Sequence, residues 1–517
     1  MSAEYAVPER LQFAGLPTDA RPGGGCAGSV LLAGFVGTTL PNWLAERLRS
    51  GLAGVCLFGT NVSTLTQLRS LTDDIREANP LAIIAIDEEG GDVTRLFEGV
   101  GSPYPGNAIL GHIDDPDYTA SIARSVGARL LDAGCLLDFA PDVDINCNPN
   151  NPVIGVRSFG AEPALVARHS TAWVRSLEET GVAASAKHFP GHGDTAEDSH
   201  LALPVIDRTL AELRSREFVP FAAAIAAGVR SIMTSHILVP RVDAKNPATF
   251  SKVLLTEVLR GELGFDGVIV SDALDMAGAS GDIGIPLAAV RALAAGCDLL
   301  CIGTANTDAQ LAAIESAISD AVVRGEIESS RLADAARRNR SLAEHGARII
   351  RSHRREEGEL AVVGELPDAD DLSRVATAFE IREGLRVAKR RSYVVFETAA
   401  NIAIGDSPWG VAAAGAEVTV LREGDLFSSN LFTDTTQLIL LGKANHRYQW
   451  VRSAVDRFRG KDLDVIVVDM GWPADDRAYA DIATFGASRL VGSALLVWFA
   501  SNAEPEVTAI QKGAGSQ

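Results

Sequence analysis

"LAIIAID" spans Leu81 to Asp87, a short β-rich apolar run that stops on a carboxylate. Its reading decides the fold, because the chain carries seven more runs of the same build. They are "SVLLAGFVG" (29–37), "GVCLFG" (54–59), "LLDFAP" (136–141), "GVAASAK" (181–187), "VRSIMTSH" (229–236), "GVIVSD" (267–272) and "CDLLCIG" (297–303). Helical patterns separate them, such as "PALVARHSTAWVRSLEETG" (163–181) and "ELRSREFVPFAAAIAAG" (212–228). Strands alternating with helices predict parallel pairing through crossover helices. Eight such units within about 300 residues fit a (β/α)8 TIM barrel better than an open doubly wound sheet.

After residue 350 the composition changes. "RSHRREEGELAVVGELPDADD" (351–371) is charged and reads as a linker region. Beyond it come new strand-like runs, "SYVVFE" (392–397), "EVTVL" (417–421), "QLILLG" (437–442), "DVIVVDMG" (464–471) and "ALLVWFA" (494–500). The expected organisation is a catalytic barrel domain over 1–350, the linker region over 351–371 and a smaller C-terminal α/β sandwich-like domain over 372–517.

The formal charge of -20 argues against a nucleic-acid backbone or an anionic membrane surface as partner. No apolar run reaches the ~18–20 residues that a membrane span needs. The opening 25 residues show no basic region followed by an apolar one, so no secretory signal is read and a cytoplasmic location is expected. The six cysteines, at 26, 56, 135, 147, 297 and 301, include no Cys-x-x-Cys pair. Reduced core thiols are expected.

In a barrel of this kind the active site lies at the carboxyl ends of the strands. Ionisable residues gather there. Asp87 ends the third run, Asp138 sits in the fourth with Asp142 and Asp144 behind it, and Lys187 ends the fifth. His236 ends the sixth and Asp272 the seventh. One aspartate after a strand is more often a turn or cap residue than a catalyst. Arg157 taken alone would be a surface ion-pair residue, and His236 a hydrogen-bonded wall residue. Five strands with ionisable groups at the same end make an accident unconvincing.

The loop "KHFPGHGDTAEDSH" (187–200) holds three of the nine histidines. It has three readings. His188, His192, Asp194, Asp198 and His200 offer nitrogen and oxygen ligands for a metal, although the spacing matches no familiar metal pattern. The loop could instead be a polar turn closing on itself. In the third reading Asp198 and His200 form an acid–base pair while Lys187 and His188 hold a ligand. A carboxylate on one ring nitrogen fixes the tautomer and leaves the other nitrogen to exchange a proton. Pro190, Gly191 and Gly193 let such a loop turn sharply over the barrel mouth.

Together these residues resemble the family 3 glycoside hydrolases, in their β-N-acetylglucosaminidase (β-N-acetylhexosaminidase) branch. The motifs that carry the resemblance are "DEEGGDVTRL" (87–96), "LDFAPDVDIN" (137–146), "GVRSFG" (155–160), "KHFPGHGDTAEDSH" (187–200) and "FDGVIVSDALDMAG" (265–278). They come in the family's order. The Asp-Ser-His ending of the fourth separates this branch from the β-glucosidases of the same family. The C-terminal segment looks like the sandwich domain of two-domain members, on a weaker match.

The resemblance implies the barrel already inferred and assigns roles by position. Asp272 aligns with the catalytic nucleophile, His200 with the general acid/base and Asp198 with its dyad partner. Asp87, Arg157, Lys187 and His188 align with residues that grip the sugar hydroxyls. The implied activity is exo-acting, retaining removal of terminal β-linked N-acetylglucosamine (GlcNAc) from cell-wall or chitin fragments, through a covalent glycosyl-aspartate. No metal or organic cofactor is expected, since each step is carboxylate and imidazole chemistry. The expected partner is a small GlcNAc-containing saccharide or muropeptide, with no nucleic acid and no membrane. The alternative is a β-N-acetylglucosaminide phosphorylase, because a neutral His200 would not repel an incoming phosphate dianion.

Overall fold

The computed structural model describes residues 27–196, 203–281, 283–353, 369–398, 403–425, 437–460 and 463–504. Each of the eight early apolar runs contains one strand of a single parallel ring. These are β1 (Leu31–Ala33), β2 (Gly54–Leu57), β3 (Ile83–Ile86), β4 (Leu137–Asp138), β5 (Ala183–Phe189), β6 (Ser231–Thr234), β7 (Val268–Val270) and β8 (Leu300–Cys301). From β1 to β7 each pairs in parallel with the next, and β8 pairs with β1. The runs are apolar without alternation because both faces are covered. The inner face packs Leu32, Cys56, Ala85, Leu137, Met233 and Val270 into the barrel lumen. The outer face meets the ring of helices, as in an α/β barrel generally.

The ring is thinnest between β7 and β8, which share one parallel bridge, Val270 with Leu299. Asp298 reinforces that seam. Its backbone N–H donates to Ile269 O at 2.7 Å, and its carboxylate accepts the Ile269 N–H at 2.9 Å. The same buried carboxylate is gripped by Arg260 and Arg331.

The second domain is a six-stranded sheet. Its strands are β9 (Glu380–Ile381), β10 (Arg391–Phe396), β11 (Val418–Leu421), β12 (Gln437–Gly442), β13 (Asp464–Asp469) and β14 (Ile482–Ala483), in the order β9-β14-β13-β12-β10-β11. All pairs are parallel except β9 with β14. One expectation is corrected: "ALLVWFA" is not a strand but lies in the helix Arg489–Ser501. Ser488 caps that helix by accepting the Val491 N–H. Its buried residues, Leu490, Val491, Ala494, Leu495 and Phe499, follow helical spacing.

The helix Ser329–His353 runs three residues into the segment read as a linker, and the helix Ala369–Ala376 begins before its end. Residues 354–368 lie outside the described residues. The two domains are closely joined. The barrel helix Asn107–Ile113 places Ala108 and Ile109 in the apolar cluster of the second domain. The His112 ring stacks on Phe485 at 3.7 Å between centroids. The Ala487 N–H donates to Asp92 Oδ1 at 2.7 Å.

Removing one partner of a buried ion pair typically costs about 3–5 kcal/mol, because it strands the opposite charge. Asp298→Ala takes the shared buried carboxylate from Arg260 and Arg331 and opens the seam, so its unfolding free energy, measured by urea titration, should fall by about 3–5 kcal/mol with a lower midpoint. An unchanged midpoint would mean that the seam does not depend on this carboxylate.

Candidate active site

A cavity of about 330 Å³ opens at the carboxyl ends of the barrel strands. Asp87, Arg157, Lys187, His188 and Asp272 all line it, so the structure brings five of the seven expected site residues together. Asp198 and His200 lie outside the described residues. Asp87 follows β3, Lys187 and His188 are on β5, and Asp272 follows β7 by two residues. Arg157 ends a short 3-10 turn, Gly155–Arg157, and is buried rather than exposed on the surface.

Glu89 organises the floor of the cavity. Lys187 Nζ lies 2.6 Å from both Asp87 Oδ1 and Glu89 Oε1. Arg157 makes a two-pronged pair with the same Glu89, Nε to Oε2 at 3.0 Å and a terminal nitrogen to Oε1 at 2.7 Å. Asp87 has 20% of its side chain exposed, against 2% for Lys187 and for Glu89. Of these two carboxylates, Asp87 is the more open to the cavity.

His188 is held by Asp144. Its Nδ1 lies 2.7 Å from Asp144 Oδ2, and its Nε2 lies 3.3 Å from the Arg157 guanidinium. This suits the tautomer with hydrogen on Nδ1. The His192 N–H also donates to Asp144, at 2.6 Å. Around this loop only glycine fits at two positions. Gly191 has φ +122°, and a Cβ on Gly193 would fall 1.7 Å from Ile145 O.

The charge states follow from burial and neighbours. Burial alone would raise the Glu89 carboxyl, but Arg157 and Lys187 hold it well below the usual carboxylate range. Burial raises Asp142, and the Asp144 charge beside it raises it further. Asp144 itself is held down, against its burial, by the His188 imidazole. Burial lowers His192 to about 4, so it is neutral at ordinary pH.

Other polar residues at the strand ends brace the site. Asp138 accepts the Glu88 N–H at 2.9 Å. Glu88 Oε2 in turn accepts from the Thr94 hydroxyl and from the N–H groups of Arg95 and Leu96. His236 hydrogen-bonds Thr249 through Nδ1 and the Ala273 carbonyl through Nε2, at 2.9 and 3.0 Å. It thereby fixes the turn that presents Asp272, whose Oδ1 accepts the Ala273 N–H at 2.7 Å. Asp194 is turned to Arg208 and Arg216 and does not join His188.

Two participants were missed by sequence reasoning. Glu89 sits beside Asp87 in the same motif, and the signal for it was charge balance: one carboxylate does not neutralise two buried cations. The backbone at Ala403, from the second domain, also lines the cavity. Arg95 holds it there by donating to Ala403 O at 2.6 Å and Ile404 O at 3.2 Å. Nothing in the sequence pairs residues so far apart.

Residues 38–342 match the family described as the glycosyl hydrolase family 3 N terminal domain. The chain is 35% identical over 381 residues to "Beta-hexosaminidase A" of Pseudoalteromonas piscicida, an alignment covering 66% of this chain and 62% of that protein. It is 42% identical over 295 residues to "Beta-hexosaminidase" of Chromobacterium violaceum, covering 55% of this chain and 80% of the relative. Among solved structures, a glycoside hydrolase family 3 beta-N-acetylglucosaminidase from Paenibacillus sp. str. FPU-7 superposes with a TM-score of 0.82 at 29% identity. It covers 92% of this chain and 96% of that one.

Burial pushes the Glu88 carboxyl from its ordinary 4.5 up to about 7. A carboxyl that holds its proton more tightly folded than unfolded loses stability as pH rises from the lower value through the higher. Glu88→Gln keeps the acceptor oxygen but removes that loss. Measured by urea unfolding, its stability relative to wild type should rise by on the order of 3 kcal/mol between pH 4.5 and 7.5. Parallel pH curves would show that Glu88 does not titrate in this window.

Proposed function

Because the chain belongs to glycosyl hydrolase family 3 and is a glycosidase, we propose that it removes terminal β-linked GlcNAc by a retaining, two-step mechanism. The observation that carries this reading is the meeting of Asp272 with the Asp87–Lys187–Glu89–Arg157–His188 cluster in one cavity. Such a cavity, near the lower end of the ~300–1,000 Å³ usual for ligand sites, suits one sugar unit and hence exo cleavage.

Asp272, as a carboxylate, attacks the anomeric carbon. The bond to the aglycone oxygen breaks, and a protonated His200 gives that oxygen its proton. The sugar is left as a covalent ester of Asp272. Neutral His200 then takes a proton from water, whose oxygen attacks the same carbon as its bond to Asp272 breaks, which frees the Asp272 carboxylate and restores the β configuration. Asp198 stabilises the imidazolium and sets its orientation. Asp87 accepts hydrogen bonds from the sugar, Lys187 and Arg157 donate them, and His188, fixed by Asp144, presents its ring. The roles of Asp198 and His200 rest on the motif "KHFPGHGDTAEDSH". The proposed substrates are GlcNAc-terminated fragments of cell wall or chitin, and the proposed setting is the cytoplasm.

Asp272→Ala should lower turnover of every β-GlcNAc glycoside by roughly 10⁴-fold or more. His200→Ala should cost roughly 10²–10⁴-fold with poor leaving groups and much less with good ones, which depart without a proton. Equal losses on all leaving groups would refute separate roles. Free GlcNAc should be the product with and without inorganic phosphate. Appearance of GlcNAc 1-phosphate would instead establish the phosphorylase reading.

A further inference from the structure

The top layer of the barrel lumen is also the floor of the catalytic cavity. A barrel core stacks in layers of four side chains, each layer drawn from alternate strands. Cys56 of β2, Phe139 just after β4, Met233 of β6 and Cys301 of β8 come from the even strands, and all four line the cavity. In that layer Cys301 stands between Cys56 and Met233. Met276, from the turn after Asp272, lines the same cavity. Two of the chain's six cysteines and two of its four methionines thus border one cavity of about 330 Å³.

None of these sulfurs has a part in the glycosidase steps, which run on carboxylate and imidazole. Filling the layer does not require thiols either, since branched aliphatic side chains usually do so. The Cys56 thiol hydrogen-bonds to Cys301, and that contact together with burial holds it well above the ordinary thiol range. Arg95, which also lines the cavity, acts in the other direction and favours the thiolate. The pair is not placed for a disulfide. β1 lies between β8 and β2, and neighbouring strands are about 4.8 Å apart. The two backbones are therefore separated by roughly 9 Å, whereas a disulfide needs Cα atoms within about 4.4–6.8 Å. A metal ion between the sulfurs adds two bonds of about 2.3 Å and spans such a gap. Thiolate and thioether sulfurs are the donors that select copper(I) over harder cations.

We propose that Cys56 and Cys301, with Met233 beside them, form a binding site for a soft cation of the copper(I) class, and that an ion held there blocks the catalytic cavity. On binding, two S–H bonds break, two metal–sulfur bonds form and the two protons pass to solvent. The metal keeps its oxidation state throughout. The blocking effect rests on the glycosidase reading of the cavity, and the binding does not.

The test uses Ag⁺, a copper(I) analogue of fixed oxidation state, with the full chain in chloride-free buffer. Equilibrium dialysis measures binding, and turnover of a chromogenic β-GlcNAc glycoside is followed on the same samples. Cys56→Ala and Cys301→Ala should each weaken the tightest Ag⁺ site by about 100-fold or more, and Met233→Leu by about 10-fold. Wild-type turnover should fall by about 10-fold or more once the ion is bound, and return on adding dithiothreitol. At the same Ag⁺ concentration each cysteine variant should keep the turnover it shows without the ion. Cys147 is half-buried and does not line the cavity, so Cys147→Ser should respond as the wild type does. Unchanged affinity in the cysteine variants, relief of inhibition by Cys147→Ser, or full wild-type turnover with the ion bound would each overturn the proposal. Either cysteine variant decides the matter if the other fails to fold. Dialysis needs no turnover, so a chain that binds Ag⁺ as expected, yet cleaves no β-GlcNAc glycoside before the ion is added, would sink the glycosidase reading and leave the sulfur site standing.

Discussion

One carboxylate shared by two buried cations sets the terms for the site. Glu89 takes Arg157 on both oxygens and Lys187 on one of them. Burying three charges is expensive, and their mutual attraction offsets the cost only when the geometry is good and the remaining donors find partners. Here Asp87 takes Lys187 from the other side at 2.6 Å, and an Arg157 terminal nitrogen that pairs with Glu89 also lies 3.3 Å from His188 Nε2. The cluster is rigid for the same reason, since no member can swing away without stranding another. Donors held in this way are already aimed at the cavity, and pre-aimed donors lose little entropy on binding a ligand.

The barrel makes such a cluster feasible. Parallel strands all present their carboxyl ends at one rim, so residues separated by a hundred positions come within bonding distance there. Lys187 and Asp87 are an instance. Supporting residues come from the same rim, with His236 holding the Asp272 turn and Asp144 holding His188. The rim therefore contains two kinds of polar residue, those that face the cavity and those that steady the first kind.

Much of this was legible in the sequence. All eight barrel strands start in the eight apolar runs, and only β5 continues past its run, to Phe189, because short β-rich stretches between helical patterns admit few other readings. The placement of Asp87, Lys187, His188 and Asp272 followed from counting strand ends. "ALLVWFA" misled because a seven-residue apolar run suits either a strand or a buried helix. The deciding sign was the serine at 488 acting as N-cap, outside the run itself. Glu89 was overlooked because its neighbour Asp87 already occupied the strand end, and alternate residues in a turn are not bound to alternate faces. The approach of Ala403 depends on how two domains dock, which local pattern does not encode. Asp198 and His200 fall outside the described residues, so their reading stays at the level of the motif.

The segment that follows β3 has attachments in both domains. Glu88 ties it to the barrel through Asp138, while Asp92 holds the Ala487 amide and Arg95 the carbonyls at 403 and 404. Asp87 and Glu89 ride on this same segment. Both cavity-lining carboxylates are thus carried by a stretch of chain that is hydrogen-bonded to the smaller domain. The docking of the second domain and the position of the cavity-lining carboxylates are therefore set by the same short segment, so a substitution at Asp92 or Arg95 bears on both at once.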